Sequence, residues 1–265
     1  MKFSGTNEKP QAATSVTTSA VMAAGSSAGQ DFARTLYLGG ASPGKLAPLW
    51  AYRPEGTMFL SVPAIAPGGK RVFAAGAQSD LGGYTGIMAC LDADTGKAIW
   101  EVTDYKDDPL KPFFSSPVVT GDGKYVIVGE GLHEDRDCEL LCFDAATGKI
   151  VWSVKTPLHI ESSPAIFGDM VVVGAGAIEG KDGKAIGDPG YLFAVRISDG
   201  KEMWKQAVND AESAPVVDES GMVIEGSGFN GTAVVAMRSE SDEVLKEKKL
   251  DRVAWKTAVA YPVTG

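Results

Sequence analysis

Two histidines occur in the 265 residues, His133 and His159, and each stands among acids. His133 lies in "GLHEDRDCE", with Glu134, Asp135 and Asp137 close by. Imidazole titrates near neutrality and binds metals, and an oxygen-rich acidic loop suits a hard cation such as Ca²⁺. The spacing follows no cation-loop pattern, so the segment reads as a solvated acidic connection. His159 lies in "TPLHIESSP", with Glu161 just ahead of Ser162 and Ser163. Nothing in that spacing sets up an Asp-His-Ser relay, so no nucleophile is assigned. The three cysteines are Cys90, Cys138 and Cys142. No second Cys/His pair at zinc spacing follows Cys138 and Cys142, and Cys90 and Cys142 read as small buried side chains. "GAGAIEGKDGKAIGDPG" (174–190) is glycine-rich. It joins two strands, however, instead of opening a helix as a phosphate cradle does. The residues therefore assign no catalytic group, no metal ligand and no cofactor.

Composition narrows the partners. Net charge is −9, and no basic cluster interrupts it. An acidic surface argues against nucleic acid and anionic membranes. No apolar run approaches the 18 residues of a transmembrane helix. The opening "MKFSGTNEKPQAATSV" shows no apolar signal-peptide core.

The elements that must position these residues come in repeats. "LDADTGKAIW" (91–100), "FDAATGKIVW" (143–152) and "VRISDGKEMW" (195–204) align without gaps. The five tryptophans, Trp50, Trp100, Trp152, Trp204 and Trp255, fall on one period of about 51 residues. A second marker keeps step: "SVPAI" (61–65), "SSPVV" (115–119), "SSPAI" (162–166), "SAPVV" (213–217) and "AYPVT" (260–264). A third is a Val/Ile-rich run ending in glycine, such as "YVIVG" (125–129). Each unit holds four short apolar runs separated by turn signals, and no segment keeps a long 3.6-residue period. Four antiparallel strands per unit, repeated, describe the blades of an all-β propeller. The units are 10–52, 53–104, 105–155, 156–207 and 208–259, and 260–265 reads as the first strand of a further blade or as ring closure. All belong to one domain. The first unit is worn, with Pro43-Gly44-Lys45 at the turn. In the fifth, "RSESDEVLKEKKLDR" (238–252) replaces the turn and reads as a solvated insertion, although Ser241 ahead of Asp242 and Glu243 could cap a short helix.

Within the turn, Gly96, Gly148 and Gly200 supply positive φ, while Asp92 with Thr95 and Asp144 with Thr147 can tie the backbone across it. The tryptophan that follows buries about 150–250 Å² and is expected to staple one blade to the next. Residues 90–100, "CLDADTGKAIW", and 142–152, "CFDAATGKIVW", resemble the tryptophan-docking motif Ala-x-Asp-x-x-Thr-Gly-Lys-x-x-Trp of the PQQ-like repeat (quinoprotein-type) propellers. Cys90 and Cys142 stand at the alanine position, and Arg196 and Asp199 depart from the motif in the third copy. Members of the resembled family usually have seven or eight blades, so these units are either part of such a propeller or close a five-bladed ring, and the resemblance implies a periplasmic or other extracytoplasmic location. Enzymes of this type carry a vicinal Cys-Cys pair, a catalytic Asp and Glu/Asn/Asp ligands for Ca²⁺, and no Cys-Cys pair occurs in these residues.

The expected role is a non-catalytic, BamB-like protein-binding scaffold. Two alternatives stand beside it: a fragment of a PQQ-dependent dehydrogenase whose cofactor site lies in missing blades, and a carbohydrate- or small-ligand-binding propeller. The partner, a protein or small ligand, is expected on a rim of long loops at 77–86, 130–138 and 175–190. Its candidate residues are Tyr84, His133, Glu134, Asp135, Asp137, Asp182, Asp188 and Tyr191.

Overall fold

A computed structural model describes residues 47–80, 83–181, 184–228 and 231–263. Four antiparallel sheets follow one another along the chain. The first holds β1 (Thr57–Met58), β2 (Ala64–Ile65), β3 (Arg71–Asp80), β4 (Gly83–Asp92) and β5 (Ala98–Val102). A ribbon of β6 (Asp104–Tyr105) and β7 (Asp108–Pro109) leads to the second sheet: β8 (Val118–Val119), β9 (Tyr125–Gly129), β10 (Cys138–Asp144) and β11 (Ile150–Thr156). The third is β12 (Ala165–Phe167), β13 (Met170–Ala175), β14 (Tyr191–Arg196) and β15 (Glu202–Ala207). The fourth is β16 (Val216–Val217), β17 (Met222–Gly226), β18 (Ala233–Arg238) and β19 (Val253–Ala258), with helix α1 (Asp242–Lys248) between its last two strands. The worn first unit lies mostly outside the described residues.

The hydrophobic pattern explains the stacking. All six residues of β13 are buried, as are four of the five in β9. Central strands this apolar must be covered on both faces, and the neighbouring sheets do it. One core joins Phe73 and Met88 of the first sheet to Val126 and Phe143 of the second. A second joins Ile127 and Leu140 to Val173 and Phe193, and a third joins Val172 and Leu192 to Val223 and Val235. The fourth strands, at the sheet edge, are more exposed than the central strands, as in β11 and β19.

The first strands mark where the sheets converge, since β2 packs on β8 and β12 on β16. Serines clasp this side. Ser115 Oγ donates to Ser162 O (2.9 Å) and Ser162 Oγ to Ser213 O (2.6 Å). The same hydroxyls accept from a glycine at or near the end of each second strand: Gly129 N to Ser115 Oγ (3.2 Å) and Gly174 N to Ser162 Oγ (3.1 Å). The Ser-x-Pro marker and the Val/Ile-Gly marker are thus two halves of one hydrogen-bonded joint. Ser213 Oγ continues the series to Val263 O (2.6 Å). Val263 also packs on Gly226 as Ile160 packs on Gly129. Residues 260–263 fall in no assigned strand, although Val263 N donates to Ser227 O (2.9 Å).

On the opposite edge each indole reaches the next sheet. Trp50 Nε1 donates to Ala93 O (2.9 Å), Trp100 to Ala145 O (3.2 Å), Trp152 to Ile197 O (2.8 Å) and Trp204 to Ser239 O (3.1 Å). Asp92 Oδ1 accepts from Thr95 N and Oγ1, and Asp144 Oδ1 from Thr147 N and Oγ1, which firms the turn that receives each ring. At Gly148 φ is +75°, and a Cβ would stand 2.7 Å from Trp100 Cδ2. Glycine is required there both for the turn and for the ring stacked on it. Gly96 and Gly200 receive Trp50 and Trp152 in the same way. Cys90, Cys142, Ala194 and Ala236 each pair across the ladder with a tryptophan: Trp100, Trp152, Trp204 and Trp255. That explains the small residue at this motif position. Trp255 is half exposed on β19.

Three expectations change. Residues 77–80 and 83–86 are strand, not loop: β3 and β4 pair from Arg71–Asp92 to Asp80–Gly83. The run "AQSDLGGYTG" lacks apolar signal, but its backbone ladder decides the conformation. Residues 242–248 form a helix instead of a plain solvated insertion; Ser241 Oγ accepts from Val244 N and Leu245 is buried. Tyr191 belongs to no rim. It opens β14, is buried, and its hydroxyl bonds Thr156 Oγ1.

Candidate functional site

In an antiparallel blade the second-to-third strand connections share one end with the links between blades. At that end the two histidines meet. His133 stands in the β9–β10 connection, His159 and Glu161 in the link from β11 to β12, and Glu212 in the link from β15 to β16. The His133 and His159 rings lie 5.6 Å apart, edge to face. Glu212 Oε1 is 3.0 Å from His159 Nε2 and 3.2 Å from His133 Nδ1. Glu161 Oε1 is 3.4 Å from His133 Nδ1. Ligating atoms of His133, His159 and Glu161 all lie within 4.8 Å of one another.

The surroundings hold this geometry. His159 is fully buried, whereas the His133 side chain is 50% exposed. Gly176 makes the room, for a Cβ there would stand 2.3 Å from His159 Nε2. Its amide donates to His159 O (3.1 Å), fixing the link against the third sheet. Below the cluster, Glu130 is buried and takes the amides of Lys111 (3.0 Å) and Glu139 (2.9 Å), which closes the base of the β9–β10 connection.

The acids and imidazoles shift one another. Burial raises the Glu161 pKa, opposed by the two imidazoles and reinforced by the Glu212 charge. Burial would also raise Glu212, but its bond to His159 and the charge of His133 pull it below the ordinary value. Burial works to lower His133, and the carboxylates of Glu161 and Glu212 outweigh it and hold it above the usual imidazole range.

The other candidate residues lie in or next to the second-to-third strand connections but outside this cluster. Tyr84 is exposed near the tip of the β3–β4 hairpin, and Glu134 and Asp137 are exposed beside His133. Asp135 ties Leu132 N (2.9 Å) and Asp188 ties Gly190 N (3.0 Å), both turn bonds. Asp182 lies outside the described residues. Glu212 was missed by sequence reading. Its signal was present, since Glu161 in "IESSP" and Glu212 in "AESAP" hold the same place in successive units. A groove of about 640 Å³ lined by Asp122, Tyr125, Ile166 and Arg196 lies at the opposite end, among the tight turns. It is remote from the titratable cluster.

Stacked four-stranded sheets, indole staples and serine clasps define a β-propeller of PQQ-like repeats. A family profile described as outer membrane protein assembly factor BamB matches residues 84–262, and the chain belongs to that family. A quinohemoprotein alcohol dehydrogenase of Comamonas testosteroni is 28% identical over 205 residues, 72% of this chain and 27% of that protein. An outer membrane protein assembly factor BamB of Xanthomonas campestris pv. campestris is 24% identical over 234 residues, 73% of this chain and 53% of that protein. The crystal structure of the Comamonas testosteroni dehydrogenase superposes with a TM-score of 0.61 at 16% identity, covering 89% of this chain and 41% of that one. The chain thus spans about a quarter of one curated relative and half of the other.

Proposed function

We propose that these blades form a non-catalytic scaffold with a protein-binding rim in an extracytoplasmic compartment, a role akin to the one in the family's description. One observation carries the reading. The described residues of the connections after β3, β9, β13 and β17 emerge at one end of sheets whose interiors are filled by apolar cores. A rigid base with variable connections on one end is how folds of this kind present binding surfaces. On or next to these connections Tyr84 and Ile186 are 57% and 53% exposed, and Glu134, Asp137 and Asp188 are exposed acids. Exposed apolar residues interspersed with acids along one end fit a partner surface that carries apolar and basic residues. The test compares native complexes in cell extracts. Tyr84→Ala with Ile186→Asp should abolish the large species, while Asp122→Ala with Ser198→Ala at the opposite end should leave it intact. Equal complexes from both variants would overturn the reading.

A second reading, part of a PQQ-dependent dehydrogenase, draws support from the 28% identity to the quinohemoprotein alcohol dehydrogenase. Full-length protein given PQQ and Ca²⁺ should reduce no dye with an alcohol substrate if the scaffold reading holds. Turnover would replace it with the enzyme.

A further inference from the structure

We infer that His133, His159 and Glu161, with Glu212 as fourth ligand, form a site for one divalent transition-metal ion of the Zn²⁺ class, bridging successive blades. The geometry is the first argument. A tetrahedral zinc ion with bonds near 2.0–2.1 Å places its ligand atoms about 3.3 Å apart. Three edges of the cluster are 3.4 Å (His133 to Glu161), 3.2 Å (His133 to Glu212) and 3.0 Å (His159 to Glu212). Those three edges need adjustment by only a few tenths of an ångström, while the remaining separations among His133, His159 and Glu161, all within 4.8 Å, must close further around an ion.

Ligand chemistry is the second argument. Two imidazoles and two carboxylates favour zinc and its neighbours over Ca²⁺ or Mg²⁺, which take oxygen alone. Both histidines of the chain are in this one cluster, although 26 residues separate them. Two carboxylates crowd together at 16% and 7% side-chain exposure, and a dication neutralises both. Glu161 Oε1 has no hydrogen-bond partner in its buried position and faces His133. His159 Nδ1 also lacks a partner. A zinc-bound histidine normally donates from its second nitrogen, and loss of that bond costs about 10- to 100-fold in affinity. The site should therefore bind more weakly than a closed structural zinc site. Its ligands come from three connections, so the ion would lock the second, third and fourth sheets together. The inference is independent of the scaffold reading.

The test uses untagged full-length protein, stripped with chelator and titrated with Zn²⁺ by calorimetry. One ion per chain should bind, and melting temperature should rise with free Zn²⁺ as binding to the folded state requires. Co²⁺ should give the intense visible bands of four-coordinate geometry. His133→Ala, at the half-exposed ligand, and the near-isosteric Glu161→Gln should keep the fold and lose tenfold or more in affinity. Lack of saturable binding would overturn the site, as would unchanged affinity in both variants or a preference for Ca²⁺ over Zn²⁺. Each of these outcomes would leave the cluster as an ion pair between blades.

Discussion

A methyl group at Gly148 would meet the Trp100 ring at 2.7 Å, whereas one at Gly168 would meet nothing within 4 Å. Both glycines have positive φ, +75° and +60°. The left-handed backbone costs about 1–2 kcal/mol for a residue with a Cβ. Gly168→Ala should lose only that amount. Gly148→Ala should lose about 1–3 kcal/mol more, because the indole must shift from its seat. Urea midpoints of the two variants check this, and equal losses would deny the ring its stacking role. Glu130 gives a second residue-scale prediction. Burial pushes its carboxyl up to about 7 from an ordinary 4.5, against the pull of the Lys111 and Glu139 amides. The folded state then holds the proton more tightly than the unfolded one. Its contribution is complete below about pH 4.5 and lost as pH rises through 7. The stability of the parent relative to Glu130→Gln should fall between pH 5 and pH 8. A difference that does not change with pH would contradict the burial account.

Among the elements, helix α1 shows how a repeat survives loss of its motif. No glycine turn receives Trp204. Arg252, 8% exposed, lies over its ring at 4.6 Å instead. The guanidinium also donates to Arg238 O (2.5 Å), Glu240 O (2.8 Å) and Asp242 Oδ1 (2.6 Å), binding the helix to the sheet. Arg252→Ala should therefore cost about 2–4 kcal/mol through lost cation–π and charge-assisted bonds. A thermal melt would test it, with Arg252→Lys regaining only part, since lysine lacks the planar fork. The sequence made the repeats legible because every Asp-x-x-Thr-Gly-Lys turn faces the same local demand and keeps the same residues. The helix was legible only as the Ser241-Asp242-Glu243 cap. The β3–β4 arm was not, because polar residues in a hairpin owe their conformation to pairing, which composition does not record. The histidine cluster was hidden for a further reason. Its members lie in three connections, each used once, and only the stacking of blades brings them together. The repeated position of Glu161 and Glu212 was the one trace.

For the molecule as a whole, the sheets form a continuous arc in which each blade is held at two edges, by serine–carbonyl bonds on the inside and indole–carbonyl bonds on the outside. Such an arc is stiff where it stacks and variable where its connections emerge. Among the described residues no helix is long and apolar enough to cross a membrane. The central claim is that the connection end of this arc is where a protein partner docks. Site-specific photo-crosslinking in the source cells tests it most directly, with the probe at Tyr84, Glu134 or Ile186 and controls at Asp122 and Ser198. The account predicts one discrete protein adduct of the same mass from all three rim positions and none from the controls. Adducts at the turn end, or none at the rim, would contradict it.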